Sequence, residues 1–179
     1  MKRLMFAGMI MMLALAGSAR GEWELQYQAP GPENYLTDVC FVDENHGWVV
    51  GYHSTILATA DGGGTWTKQT CPVDNYTIKG VEFIDDKSGF CFGDDLSEEN
   101  PTYNDIVMRT RNGGETWEVC SPSDDTITHY YDISVLDEKT CWITAVTRNS
   151  KGKILFTNDG GVTWTCQYSS QHIPYQYFF

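Results

Sequence analysis

Carboxylates are abundant among the side chains here that could do chemistry. Asp and Glu number 24, and two carboxyl groups about 5–10 Å apart suffice to hydrolyse a glycosidic bond. Counting therefore leaves that reaction open. For three of them position argues against it: Asp43, Asp85 and Asp137 recur at one place in a repeated pattern, and such equivalence fits turn formation rather than catalysis. The densest acidic stretch, Asp94 to Asp105, carries five carboxylates. Oxygen-rich loops can hold Ca²⁺, but the spaced D-x-D-x-D-G pattern with a Glu at its twelfth position is missing. This stretch reads as a solvated acidic loop, and as the segment most suited to touch a partner. His46, His53, His129 and His172 show no metal-ligand or triad spacing. The cysteines are Cys40, Cys71, Cys91, Cys120, Cys141 and Cys166. They contain no C-x-x-C pair, so zinc and thioredoxin-like chemistry find no support. Six cysteines allow 15 pairings and the sequence selects none; in apolar runs such as Phe90-Cys91-Phe92 a free thiol would behave as a small hydrophobe. No catalytic, cofactor-binding or metal-binding residue is assigned.

The elements that carry these residues repeat. Three octapeptides align without gaps: Thr59-Ala60-Asp61-Gly62-Gly63-Gly64-Thr65-Trp66, Thr110-Arg111-Asn112-Gly113-Gly114-Glu115-Thr116-Trp117, and Thr157-Asn158-Asp159-Gly160-Gly161-Val162-Thr163-Trp164. They read T-x-[DN]-x-G-x-T-W, and their tryptophans are 51 and 47 residues apart, one four-stranded blade per interval. Upstream, Val39-Cys40-Phe41-Val42-Asp43 matches Val81-Glu82-Phe83-Ile84-Asp85 and Ile133-Ser134-Val135-Leu136-Asp137. Gly47-Trp48-Val49-Val50-Gly51 matches Gly89-Phe90-Cys91-Phe92-Gly93 and Cys141-Trp142-Ile143-Thr144-Ala145. Short β-branched and aromatic runs between Asp, Asn and Gly turns predict strands, and no helical periodicity follows the first 21 residues. In the octapeptide, Asp or Asn can bond nearby backbone N–H groups, glycine supplies positive φ, and Trp buries a large ring with its N–H free for a carbonyl. Those roles are structural. They are assigned to Thr59, Asp61, Gly63, Thr65 and Trp66, and to the matching residues of the other two copies.

The octapeptide resembles the Asp box, or BNR repeat, of sialidases, sortilin-type receptors and xyloglucan-type glycosidases. With its upstream runs, the pattern is most similar to the photosystem II stability/assembly factor-like propellers, over essentially the whole chain beyond residue 21. The resemblance implies an all-β propeller fold and an exported or lumenal location. Sialidases clamp a carboxylate with an arginine cluster; beyond residue 21 this chain has only Arg109, Arg111 and Arg148, and no Arg-Ile-Pro-type strand. The expectation is a non-enzymatic module for protein binding or assembly support, with no cofactor. The alternative is a fragment of a carbohydrate-active Asp-box glycosidase or a glycan-binding protein.

Met1-Lys2-Arg3, the apolar run Leu4 to Leu15 and the small residues to Gly21 have the layout of a secretory signal peptide; the run is short for a span of roughly 20 residues. Residues 1–21 are thus read as a leader and 22–179 as propeller blades: blade 1 about 37–72, blade 2 about 79–121, blade 3 about 131–168. This gives a secreted or periplasmic protein, not inserted in the membrane once the leader is removed. Without Lys2, Arg3 and Arg20 the net charge is −15, which repels nucleic acid. Trp23-Glu24-Leu25-Gln26 looks like the Trp-led outer strand of a further blade. Three blades are fewer than the four to eight of closed rings. The chain is therefore expected to be part of a longer propeller, to self-associate through open blade edges, or to pack as an open stack.

Overall fold

A computed structural model describes residues 25–27, 35–95 and 105–170. The leader at 1–21, Trp23, Glu24, most of the acidic loop (96–104), His172 and the aromatic end at 175–179 lie outside these residues. All regular structure among the described residues is β. Twelve strands make three four-stranded antiparallel sheets in simple sequential order. Blade 1 holds β1 (Leu36–Phe41), β2 (Gly47–Gly51), β3 (Thr55–Thr59) and β4 (Thr67–Lys68). Blade 2 holds β5 (Tyr76–Phe83), β6 (Gly89–Asp95), β7 (Ile106–Thr110) and β8 (Glu118–Val119). Blade 3 holds β9 (Ile127–Val135), β10 (Cys141–Thr147), β11 (Gly152–Thr157) and β12 (Thr165–Ser169).

The three sheets repeat down to their irregularities. The pairing of β1 with β2 slips at Thr37, of β5 with β6 at Lys79, and of β9 with β10 at Tyr131, which are equivalent positions. A bulge of this kind sharpens local twist, as a blade of a propeller requires.

The core lies between the blades. Trp48, Val50 and Ile56 of blade 1 pack against Ile78, Val81 and Phe83 of blade 2. Phe90, Phe92 and Val107 of blade 2 pack against Ile133, Val135 and Ile143 of blade 3. Strand patterning follows. Every residue of β2 and the first five of β6 are buried; β6 lies in the middle blade, with Cys91 packed toward blade 1 and Phe90 and Phe92 toward blade 3. In β10 buried residues alternate with open ones, since its far side has no blade among the described residues. All six cysteines are free thiols. Burial pushes Cys120 and Cys141 up to about 12, so both stay protonated at neutral pH and act as packing residues.

Candidate protein-binding faces

Each octapeptide closes a hairpin by the same bonds. Thr59 Oγ1 donates to Asp61 Oδ1 at 2.8 Å and accepts from the Gly63 amide at 2.9 Å. Asp61 accepts the Thr65 amide on Oδ1 and the Thr65 hydroxyl on Oδ2, both at 2.8 Å. The reach is four residues, longer than the two or so expected of a simple Asx turn. Thr157, Asp159, Gly161 and Thr163 reproduce the set. In blade 2, Asn112 Oδ1 accepts from Thr110 Oγ1 and the Thr116 amide, while its Nδ2 donates to Thr116 Oγ1 at 2.9 Å. Reversing that one bond is how Asn replaces Asp. Thr163 hydroxyl and amide donation hold Asp159 down at about 2, and the Thr65 amide lowers Asp61. These carboxylates are ionised and spent on the turn.

The three repeated aspartates of the β1–β2-type turns are spent as well. Asp43 Oδ1 accepts the amides of Asn45 and His46, Asp85 those of Lys87 and Ser88, and Asp137 those of Lys139 and Thr140. The His46 amide and ring hold Asp43 at about 2. Neither aspartate set can serve as a general acid near neutral pH.

The turns are also where one blade holds the next. Trp48 Nε1 and Gln69 Nε2, both from blade 1, donate to the Gly113 carbonyl in the blade 2 box at 2.9 and 2.7 Å. Trp117 Nε1 returns a bond to Gln69 Oε1 at 3.3 Å. One blade on, Arg109 Nη1 donates to the Gly160 carbonyl, and Trp164 Nε1 donates to the Cys120 carbonyl at 2.7 Å. Gln26 makes the same approach to blade 1, donating to the Gly62 carbonyl at 3.1 Å. The second box glycine must be Gly for this reason. At Gly63, Gly114 and Gly161 φ is 91°, 89° and 83°, and a Cβ would run into Gln26, Gln69 and Cys120 respectively. The octapeptide alone did not reveal the Gln26 and Gln69 grips, although W-x-x-Q, recurring after Trp23, Trp66 and Trp164, carries the signal. Arg109 has no repeat signal.

Further bonds cross between blades higher up the sheets. Asp38 Oδ2 accepts the Val81 amide at 2.9 Å, and Glu82 Oε2 accepts the Val135 amide at 3.1 Å. At the root of the acidic loop, Asp105 Oδ2 accepts the Tyr130 amide at 2.9 Å and lies 3.5 Å from His129 Nδ1. Its side chain is only 4% exposed, and burial pushes its carboxyl up to about 6. Lys79 pairs with Asp94 across the same edge at 2.6 Å. Among the described residues no three His, Cys, Asp or Glu side chains are grouped to hold a metal ion. No helix of these residues is long and apolar enough to cross a membrane.

Two blade faces are left open among the described residues. On blade 1, Val39 is 58% and Phe41 44% exposed, where the equivalent Val81 and Phe83 are 5% and 6%. On blade 3, Ile154 is 37% exposed, where Ile56 and Val107 are 0%. At the strand ends opposite the boxes lie Tyr52 and His53 after β2, Asp95 at the end of β6, and Arg148 and Asn149 after β10.

Known proteins share this arrangement. The family model for photosynthesis system II assembly factor YCF48 matches residues 18–173. The chloroplastic photosystem II stability/assembly factor HCF136 of Oryza sativa subsp. japonica is 28% identical over 150 residues, 80% of this chain and 33% of that protein. The photosystem II assembly protein Ycf48 of Thermosynechococcus vestitus is 37% identical over 73 residues, 40% of this chain and 20% of that protein. Among solved structures, YCF48 bound to D1 peptide superposes with a TM-score of 0.60 at 27% identity, over 75% of this chain and 40% of that one. The GH74 enzyme of Niastella koreensis, at 18% identity and a TM-score of 0.58, shares the fold alone. The chain spans about a third or less of the length of these curated relatives. With three boxes in register, blades in sequential order and a family match across most of its length, the chain belongs to the photosynthesis system II assembly factor YCF48 family of BNR β-propellers.

Proposed function

We propose that this chain is an exported, non-enzymatic propeller module that binds a protein segment and supports assembly of a protein complex. The family match over residues 18–173 carries this reading, and the likeness to a propeller solved with a bound peptide gives it a form. A rigid sheet stack that presents loops is suited to holding an extended segment. The Asp94–Asp105 stretch, whose described ends pair Asp94 with Lys79 and set Asp105 beside His129, is the segment assigned to contact. Residues 1–21 act as the export leader, and residues 22–179 as the propeller part. The carbohydrate-active alternative is disfavoured because the repeated carboxylates are committed to turns, and the raised ones, Glu82 and Asp105, are committed to amides of the next blade.

The test is fluorescence anisotropy with a labelled D1 peptide, alongside an assay for sugar release from xyloglucan. Saturable micromolar binding with no sugar release is expected. Sugar release without peptide binding would replace this reading with the glycosidase one.

A further inference from the structure

The faces of blades 1 and 3 that are open among the described residues match the two halves of an interface that the described blades form twice. We propose that blade 3 docks head-to-tail on blade 1 of a second copy of this chain, and that the segment around Gln26 competes for the same socket.

The donor half is on blade 3. Trp142 and Gln167 stand where Trp48 and Gln69 stand on blade 1, the pair that grips the Gly113 carbonyl of blade 2. On blade 3 they hold no box among the described residues, and Trp142 Nε1 donates to Gln167 Oε1 at 3.0 Å. Around them, Thr144 and Ile154 are exposed at the positions of the buried Val50 and Ile56. Asp132 occupies the place of Asp38, whose carboxylate takes the Val81 amide of the next blade. The acceptor half is on blade 1. Its box offers the Gly62 carbonyl, equivalent to Gly113. Its inner strand offers Phe41, equivalent to the Phe83 that stacks on Trp48 at 3.5 Å and 5°. Val39 lies beside it, equivalent to the buried Val81. A second copy therefore supplies every group that the first copy's blade 3 lacks, in one register. Two copies contribute six blades, within the four to eight of closed rings; a heterologous contact of this kind closes into a ring or runs on as a filament, according to its rotation.

Gln26 already fills part of the acceptor socket. It donates to the Gly62 carbonyl and sits over Gly63, as Gln69 does at Gly113 and Gly114. An incoming Gln167 needs that place, so the segment at 25–27 must lift before copies join.

Sedimentation velocity of the purified chain tests this. The chain is expected to associate below about 100 µM. Thr144→Arg and Val39→Arg change exposed residues on opposite faces and leave the blades folded by circular dichroism. Each variant alone is expected to stay monomeric, while an equimolar mixture forms a 1:1 dimer through its one intact pair of faces. Gln26→Ala removes the competing bond and should tighten association about fivefold. A chain monomeric throughout this range, a variant that still self-associates alone, or a mixture that stays monomeric would each overturn the proposal.

Discussion

At Thr157 one hydroxyl serves three groups. It donates to Asp159 Oδ1 and accepts the amides of Asp159 and Gly161, while its residue is 1% exposed. Thr157→Val keeps the shape and strands the buried Gly161 amide, so urea unfolding should show a loss of about 1–3 kcal/mol. The acidic residues divide by pH. Asp43 and Asp159 sit at about 2 in the folded chain against an ordinary 3.8. Their stabilisation is present above about pH 4 and lost as pH falls toward 2. Asp105 goes the other way, from 3.8 to about 6. A raised carboxyl favours the fold while protonated, so its contribution is present below about pH 4 and lost as pH rises through about 6. Stability measured from pH 4 to 7 should therefore fall less in Asp105→Asn than in the parent chain. An equal fall in both would remove Asp105 as the cause.

Blades are held by a few grips at their ends and by apolar faces between them. Trp48 joins both devices, stacking on Phe83 and donating to the Gly113 carbonyl. Trp48→Ala should cost about 3–5 kcal/mol in denaturant unfolding. Gly114→Ala should destabilise by at least about 1 kcal/mol, since a Cβ there meets Gln69 and φ is 89°. Gly152→Ala is the control: the nearest atom to its added Cβ is Ser170 Oγ at 3.7 Å, and its melting temperature should hardly move. The strands and box turns were legible in the sequence because their signal is local and written three times. The repeated aspartates of the first turn, Asp43, Asp85 and Asp137, were legible for the same reason. The blade-to-blade bonds were less so. Gln69 and Trp117 are 48 residues apart, and the partner of Glu82 is an amide 53 residues away; nothing in a hairpin pattern points across that distance. Gly161 reads as a turn glycine, yet its second constraint is the Cys120 side chain of another blade.

Across the described blades the grips run one way: the boxes of blades 2 and 3 are each clasped by side chains of the blade before, Trp48 and Gln69 at Gly113 and Arg109 at Gly160, so the stack has a direction. Among the described residues it leaves unlike outer faces on blades 1 and 3, the first presenting Val39 and Phe41 and the second Thr144 and Ile154. Function is less legible than fold because the Asp box is architectural. In this chain its carboxylates are consumed by the turns, so they carry no mark of a ligand.

Hydrogen exchange followed by NMR tests that clasp most directly. The amides of Gly114 and Gly161 and the indole protons of Trp117 and Trp164 should exchange slowly, with protection close to that of the buried strands β6 and β10. Fast exchange of both indoles, with the strands still protected, would mean that the blades fold without being clasped in this order.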